Sequence, residues 1–219
     1  MKTPSEPLEA ILARMQTAAA TPSAEREAAR NSAIAAQRQA TIADLKAGWD
    51  APYRHEKASV LKDGPWGKLL DALTKRLGEG FMVVLFGING NGKTQLAVEL
   101  MRYQVEQHLK SAKFTTSMDF FMQVKATYRQ DSKLSEDDVV VLHSKPSLLV
   151  VDETEKRSES SWENNLLFHL ANRRYNSGKD TIFISNLERD ELTAHLGRAL
   201  VSRLNETGGM IHCDWPSRR

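Results

Sequence analysis

The sequence predicts an α/β protein of the P-loop NTPase type: a parallel five-stranded sheet covered by helices, preceded by a small N-terminal helical segment. Three observations carry this. Phe81 to Thr94 read FMVVLFGINGNGKT, an apolar run leading directly into Gly87-x-x-x-x-Gly92-Lys93-Thr94. From Phe81 onward, short apolar runs alternate with segments of helical period, the signature of a parallel sheet covered on both faces. Finally, Ser147 to Glu153 read SLLVVDE, a buried-strand run ending in two carboxylates.

In chain order, residues 1–50 come first, rich in Ala, Gln, Glu and Arg, with almost no β-branched or aromatic residue before Trp49. Leu8, Ile11, Leu12 and Met15 share one face of a short helix. Thr21-Pro22 reads as the start of a second helix, running to Lys46 and ended by Gly48. This segment is either a solvated helical appendage or a docking arm for a partner. Residues 51–80 connect it to the core. They hold the turn Asp63-Gly64-Pro65 and a helix with Trp66, Leu69, Leu70, Leu73 and Leu77 on its apolar face. The remainder, 81–219, carries strands at 81–86, 113–117, 147–152, 180–185 and 209–214. Helices fall near 94–109, 118–129, 135–142, 161–176 and 189–204. Ligands bind at the carboxyl ends of the strands in such a sheet.

Composition narrows the classes. At 219 residues the chain is long enough for one medium core plus an appendage. A net charge of +2 is too small for binding nucleic acid by bulk electrostatics, so any DNA contact is local. The single cysteine, Cys213, excludes an internal disulfide and a cysteine-based zinc site. The six histidines have no metal spacing. No apolar run approaches the ~18–20 residues that span a bilayer, and the N-terminus lacks a signal-peptide core, so a cytoplasmic protein with no membrane partner is expected.

The chemistry concentrates in four places. In the P-loop, glycines let backbone N–H groups curl around phosphates, so Gly87, Asn89, Gly90, Asn91, Gly92, Lys93, Thr94 and Gln95 are expected to bind ATP or ADP. Lys93 supplies a cation to the β/γ-phosphates, Thr94 a hydroxyl to Mg²⁺, and the helix N-terminus a favourable field. At the end of the third strand, Asp152 is placed to hold Mg²⁺, and Glu153 to take a proton from the attacking water. Acids often end strands, so the P-loop upstream is what gives this pair its meaning. Ser185-Asn186 ends the next strand, where an amide reaches the attacking water or the γ-phosphate; alone it is only a turn. Arg198 and Arg203 lie on the helix before the last strand, where an arginine lent by a neighbouring subunit neutralises developing charge. On its own, each is an ordinary solvated arginine.

Taken together, these segments resemble the bacterial and phage replicative-helicase loaders of the DnaC type, within the AAA+ ATPases. The likeness covers about residues 60–219: the P-loop, LLVVDE at 148–153, NRRY at 172–175, ISNL at 184–187, LGRALVSRL at 196–204 and the DWPSRR ending. NRRY followed by a strand ending in SNL is shared with the IstB relatives. The resemblance implies an AAA+ core oligomerising through its ATP site, Asn186 as the sensor 1 residue and Arg203 as the arginine finger. Arg198 stands one position from the family's first arginine. It also implies an N-terminal helical domain that binds a replicative (DnaB-type) helicase, ATP hydrolysis with Mg²⁺, and single-stranded DNA as a partner. No C-terminal lid is expected, since the sequence ends sixteen residues after Arg203.

Single-stranded DNA needs cations for phosphates and aromatics for stacking. Phe120, Phe121, Lys125, Tyr128, Arg129, Arg173, Arg174 and Tyr175 are candidates, with Arg218 and Arg219 at the end. The spacing of Phe120, Phe121 and Val124 suits a buried face, whereas Tyr128 and Arg129 suit exposure. Two other readings stand beside the loader: an IstB-type transposition ATPase, and a nucleotide-switched binding module with little turnover.

Overall fold

The computed structural model describes residues 7–58, 62–158 and 160–216, without the side chains of 15–23. The chain divides into two units, Met1–Ala43 and Asp44–Arg219. The first is helical. Its helix belongs to α1 (Leu8–Ala47), which runs unbroken for 40 residues. The expected second start at Thr21-Pro22 is therefore not made. Proline inside a helix costs ~3 kcal/mol, and the long run of Ala, Glu, Arg and Gln on either side offsets that loss. Leu8, Ile11 and Leu12 are 72%, 40% and 49% exposed. The side chain of Met15 lies outside the described residues.

Near the start of the second unit lies Trp49, buried at 3% exposure, whose carbonyl accepts from the Phe114 amide at 2.6 Å. Short α2 (Tyr53–Lys57) and α3 (Gly64–Lys75) lead to β1 (Met82–Phe86). Then come α4 (Lys93–Glu106), β2 (Ala112–Thr116), α5 (Ser117–Ala126), α6 (Glu136–Ser144) and β3 (Leu148–Asp152). They are followed by α7 (Ser161–Asn176), β4 (Asp180–Ile184), α8 (Arg189–Leu196), α9 (Arg198–Thr207) and β5 (Gly209–His212). All five expected strands form within two residues of their expected bounds. The helix expected over 189–204 is instead divided at Gly197, where φ is 76°. The Gly197 amide closes α8 on the Thr193 carbonyl (3.2 Å), and its own carbonyl accepts from Val201 (3.1 Å) to open α9.

The strands order β2-β3-β4-β1-β5, and every pairing is parallel. β1, β3 and β4 are buried along their whole length, as continuous apolar runs with helices on both faces require. Met82, Val84, Phe86, Leu149, Val151 and Phe183 face α5 to α9, packing on Phe120, Leu167, Leu170, Leu200 and Leu204. The alternate residues Val83 and Leu85 point to the other face, where the buried side of α4 carries Leu96, Ala97, Leu100 and Met101. Leu85 pairs with Ile184, Phe86 with His212, and Thr116 with Asp152. That register brings the carboxyl ends of all five strands to one edge. No helix of the described residues is long and apolar enough to cross a membrane.

Candidate nucleotide-binding site

At that edge the chain leaves β1 through Gly87, whose φ of 123° suits glycine. A Cβ there would sit 3.0 Å from the Cys213 carbonyl oxygen and 3.3 Å from the His212 ring, so the close approach of β5 also demands glycine. Gly92, with φ 91°, is the N-cap of α4. Two tryptophans brace the loop from outside. Trp66 Nε1 donates to the Gly92 carbonyl at 3.1 Å, and Trp215 Nε1 donates to the Asn91 carbonyl at 2.6 Å. Asn91, wholly buried, donates in turn to the Cys213 carbonyl at 2.5 Å. The phosphate loop thus rests on α3 and on the segment that follows β5. The sequence places Trp66 on an apolar helix face and Trp215 in the DWPSRR ending, with no signal that either braces the loop.

Lys93 is the first residue of α4 and is 4% exposed. Its Nζ donates to the carbonyls of Gly87 (2.6 Å) and Ile88 (2.8 Å) and to Asn91 Oδ1 (3.3 Å). Burial lowers its pKa, against the pull of Cys213, Asp152 and Glu155. Thr94 Oγ1 donates to Asp152 Oδ2 at 2.8 Å, the pairing expected of a hydroxyl and a carboxylate that share one cation. Asp152 is 7% exposed, and burial raises its pKa although Thr94 and the Glu153 amide both donate to it. Beyond it Glu153 takes φ 54°, turning the chain sharply, and its carboxylate pairs with Lys156 at 2.5 Å.

A cleft of 810 Å³ opens here, lined by Asn89, Gly90, Asn91, Gly92, Lys93, Thr94 and Gln95 together with Thr116, Asp152, Glu153 and Asn186. This volume suits a nucleotide. Pro52, His55, Ala58 and Asp63 close its other side. Gln95 lines the cleft but is engaged by α2: its Oε1 meets His55 Nδ1 at 2.8 Å and its Nε2 donates to the His55 carbonyl at 3.0 Å. Asn186 Nδ2 donates to Glu155 Oε1 at 2.7 Å. Glu155 had no signal of its own in the sequence, because its partner lies on another strand.

Arg203 is not in the cleft. Its Nε and Nη2 donate to Asn172 Oδ1 at 3.1 and 2.6 Å, and the guanidinium lies 4.7 Å from the Phe168 ring and 5.4 Å from the Tyr175 ring. Arg198 is exposed at the start of α9.

The DNA candidates divide sharply. Phe120, Phe121 and Val124 are core. Arg174 is also buried, at 0% exposure, with all three of its nitrogens donating to protein oxygens, which corrects its reading as a DNA contact. Arg173 pairs with Asp137 at 2.8 Å, and the Tyr175 hydroxyl donates to Glu206 at 2.6 Å. Tyr128 (60% exposed), Lys125 and Arg129 are outward, with the Tyr128 hydroxyl donating to Glu136 and Lys125 Nζ pairing with Glu163 at 3.4 Å and lying 5.6 Å from the ring of Trp162, a residue with no signal in the sequence. Arg218 and Arg219 lie outside the described residues.

A glycine loop between a buried parallel strand and a helix, with its lysine and threonine beside a strand-end aspartate, defines a P-loop nucleotide-binding protein of the AAA+ type. The chain belongs to the family of IstB-like ATP binding proteins, which it matches over residues 77–206, more than half its length. It is 28% identical over 158 residues to the replicative helicase loader DnaC of Buchnera aphidicola subsp. Acyrthosiphon pisum, a match covering 69% of this chain and 63% of that protein. To the replicative helicase loader DnaC of Escherichia coli K12 it is 28% identical over 137 residues, covering 62% and 55%. The chain therefore spans between half and two-thirds of the length of these curated relatives. Among solved structures, the DnaC helicase loader superposes with a TM-score of 0.63 at 20% identity, covering 74% of this chain and 99% of that one. The replication initiator DnaA bound to AMPPCP and single-stranded DNA gives 0.60 at 16% identity, covering 74% and 50%. At these identities the likeness is one of fold.

Proposed function

We propose that this chain is an ATP-dependent loader of a replicative (DnaB-type) helicase onto single-stranded DNA, acting in the cytoplasm. The observation that carries the ATPase reading is the convergence of Lys93, Thr94, Asp152, Glu153 and Asn186 on one cleft at the strand ends. The loader reading is supported by the curated relatives, replicative helicase loaders. The P-loop amides and Lys93 hold the phosphates, for which Lys93 exchanges its bonds to the loop carbonyls. Thr94 and Asp152 hold Mg²⁺, which when bound supplies charge neutralisation on the phosphates. Glu153 takes the proton of the attacking water, and Asn186 orients that water. Arg203 serves the ATP site of a neighbouring copy.

Residues 1–50 form the arm that grips the helicase, with Leu8, Ile11 and Leu12 as the apolar contact. Residues 51–80 link it to the ATPase core, 81–219, and close the base side of the cleft through Pro52, His55 and Ala58. Tyr128, Lys125, Arg129 and Trp162 form the surface for single-stranded DNA, where an exposed ring and neighbouring cations suit stacking and phosphate contact.

Two experiments test this reading. The full chain co-purifies with a replicative helicase and the chain without residues 1–50 does not; capture of a transposase instead would establish the IstB-type alternative. In parallel, Lys93→Ala loses ATP binding, while Glu153→Gln binds ATP without turnover. Normal hydrolysis by Glu153→Gln would remove Glu153 from its role. A wild-type chain that binds ATP but never turns it over, with helicase and DNA present, would be a nucleotide switch.

A further inference from the structure

The turn that follows β3 bridges two strand ends, and its third residue does more than turn. Thr154 is wholly buried, and both its amide (3.0 Å) and its hydroxyl (3.1 Å) donate to the carbonyl of Ile184, the last residue of β4. Three residues on, Arg157 donates from Nη2 to the His195 carbonyl at 2.6 Å, tying the turn to α8. Between these anchors Glu155 projects its carboxylate onto the residues after β4. Oε2 accepts from Ser185 Oγ at 3.0 Å and Oε1 from Asn186 Nδ2 at 2.7 Å. Ser185, itself buried, also accepts from the Leu187 amide at 3.2 Å, so the hydroxyl holding Glu155 is fixed as well.

A carboxylate only accepts hydrogen bonds. It therefore selects one of the two orientations of the Asn186 amide: the NH₂ group turns to Glu155, and the carbonyl oxygen is what Asn186 offers to a water in the cleft. With the opposite flip, Asn186 would set an oxygen against an oxygen. We infer that Glu155 is a positioning residue for ATP hydrolysis, setting the amide orientation of Asn186 so that its carbonyl oxygen accepts a hydrogen bond from, and thereby aligns, the attacking water. This rests on the ATPase reading of the cleft and adds to it a residue acting only through Asn186.

The experiment compares Glu155→Asp, Glu155→Gln, Asn186→Ala and the double variant Glu155→Asp/Asn186→Ala in the full chain, measuring kcat, KM, ATP affinity and melting temperature with helicase and single-stranded DNA present. Asp keeps the charge but withdraws the carboxylate by one C–C bond, about 1.5 Å, beyond hydrogen-bond reach of Asn186. Gln loses the charge and keeps an oxygen in reach. The expected result is a kcat lower by about 10-fold or more for Glu155→Asp, the scale of losing a supporting partner at a site. ATP affinity and KM stay within about twofold, and Glu155→Gln stays within about threefold of wild type. In the Asn186→Ala background, Glu155→Asp has little further effect, as two residues acting as a unit require.

An unaffected Glu155→Asp, or one whose loss adds fully to that of Asn186→Ala, overturns the inference. So does a Glu155→Asp whose lost turnover is accompanied by equal loss of ATP binding and a collapsed melting temperature, which would make the role structural. A wild-type chain without turnover overturns the ATPase reading itself, and this inference with it.

Discussion

Replacing Arg174 by methionine separates structure from DNA contact within a single motif. Its guanidinium is wholly buried and serves five oxygens: Thr181 Oγ1 from Nε (2.8 Å), the carbonyls of His143 (3.1 Å), Ser144 (3.1 Å) and Pro146 (2.9 Å) from Nη1, and the Asp180 carbonyl from Nη2 (2.5 Å). Burial drives its pKa down to about 9, with Asp180 opposing, so the group is still charged at neutral pH. Methionine fills much of the same space but leaves the last carbonyls of α6, that of Pro146 beyond it and the start of β4 without their donor. Each orphaned buried acceptor costs about 1–3 kcal/mol. Relief of the guanidinium's own desolvation returns part of that, leaving a net cost of about 3–5 kcal/mol, the upper range for a substitution that breaks a buried hydrogen-bond network. Against a total stability of about 5–15 kcal/mol this is severe. With a urea m-value of about 1–3 kcal/mol/M, the unfolding midpoint, followed by tryptophan fluorescence, falls by roughly 1–5 M. Arg173→Ala is the internal control: its one ion pair is to exposed Asp137, a type worth about 0–1 kcal/mol. A midpoint for Arg174→Met no lower than that of Arg173→Ala would refute the structural assignment.

Two further perturbations probe the core and the loop brace. His143 is wholly buried, and burial depresses its pKa, while the bond from Nδ1 to the Val139 carbonyl opposes the shift. The unfolded chain, titrating near 6.5, then takes up the proton first. Stability is full above about pH 6.5 and declines below it, by at most about 1.4 kcal/mol per pH unit, until the folded-state pKa is reached. Urea melts at pH 7.5 and about 5.5 should show this loss in wild type and a shallower one in His143→Gln; parallel slopes would disprove it. Trp215→Phe keeps the ring in the core but loses the donor to Asn91. One such bond is worth about 0.5–1.5 kcal/mol, so ATP affinity is expected to weaken roughly 2- to 10-fold, read by fluorescent-nucleotide titration. Unchanged affinity would show that the brace does not shape the phosphate loop.

What the sequence disclosed follows the physics of burial. β1, β3 and β4 are central, so their apolar runs are continuous and their polar ends mark the site; Lys93, Thr94, Asp152, Glu153 and Asn186 could be placed from the glycine motif together with the strand ends. Arg174 was legible too, since Leu166, Leu167, Leu170, Ala171 and Arg174 fall at helical spacing on the buried face of α7, and its charge outweighed that phase in the reading. The roles of Glu155, Trp66 and Trp215 at the site were not legible. Each acts across 26 to 124 residues of sequence or between neighbouring strands, through contacts that exist only once the register is set. The helix break expected at Pro22 is absent for the opposite reason: the helix propensity of the flanking residues outweighs the local effect of one proline.

The position of Arg203 bears on how the site is completed. Among the described residues lining the cleft, Lys93 is the one lysine or arginine. A triphosphate carries more negative charge than one ammonium and one divalent ion offset as charge shifts to the leaving group, and a guanidinium is the usual supplement. Arg203 cannot swing to its own cleft without giving up Asn172, the Ala199 carbonyl and both aromatic faces. Those same contacts hold the guanidinium at a fixed place on the α7–α9 surface. Asn172 and Tyr175, the outer residues of NRRY, thus support the arginine, while Arg174 anchors the helix that carries them. An arginine held away from its own nucleotide site is what the proposed loader requires if Arg203 is to serve the ATP site of a neighbouring copy.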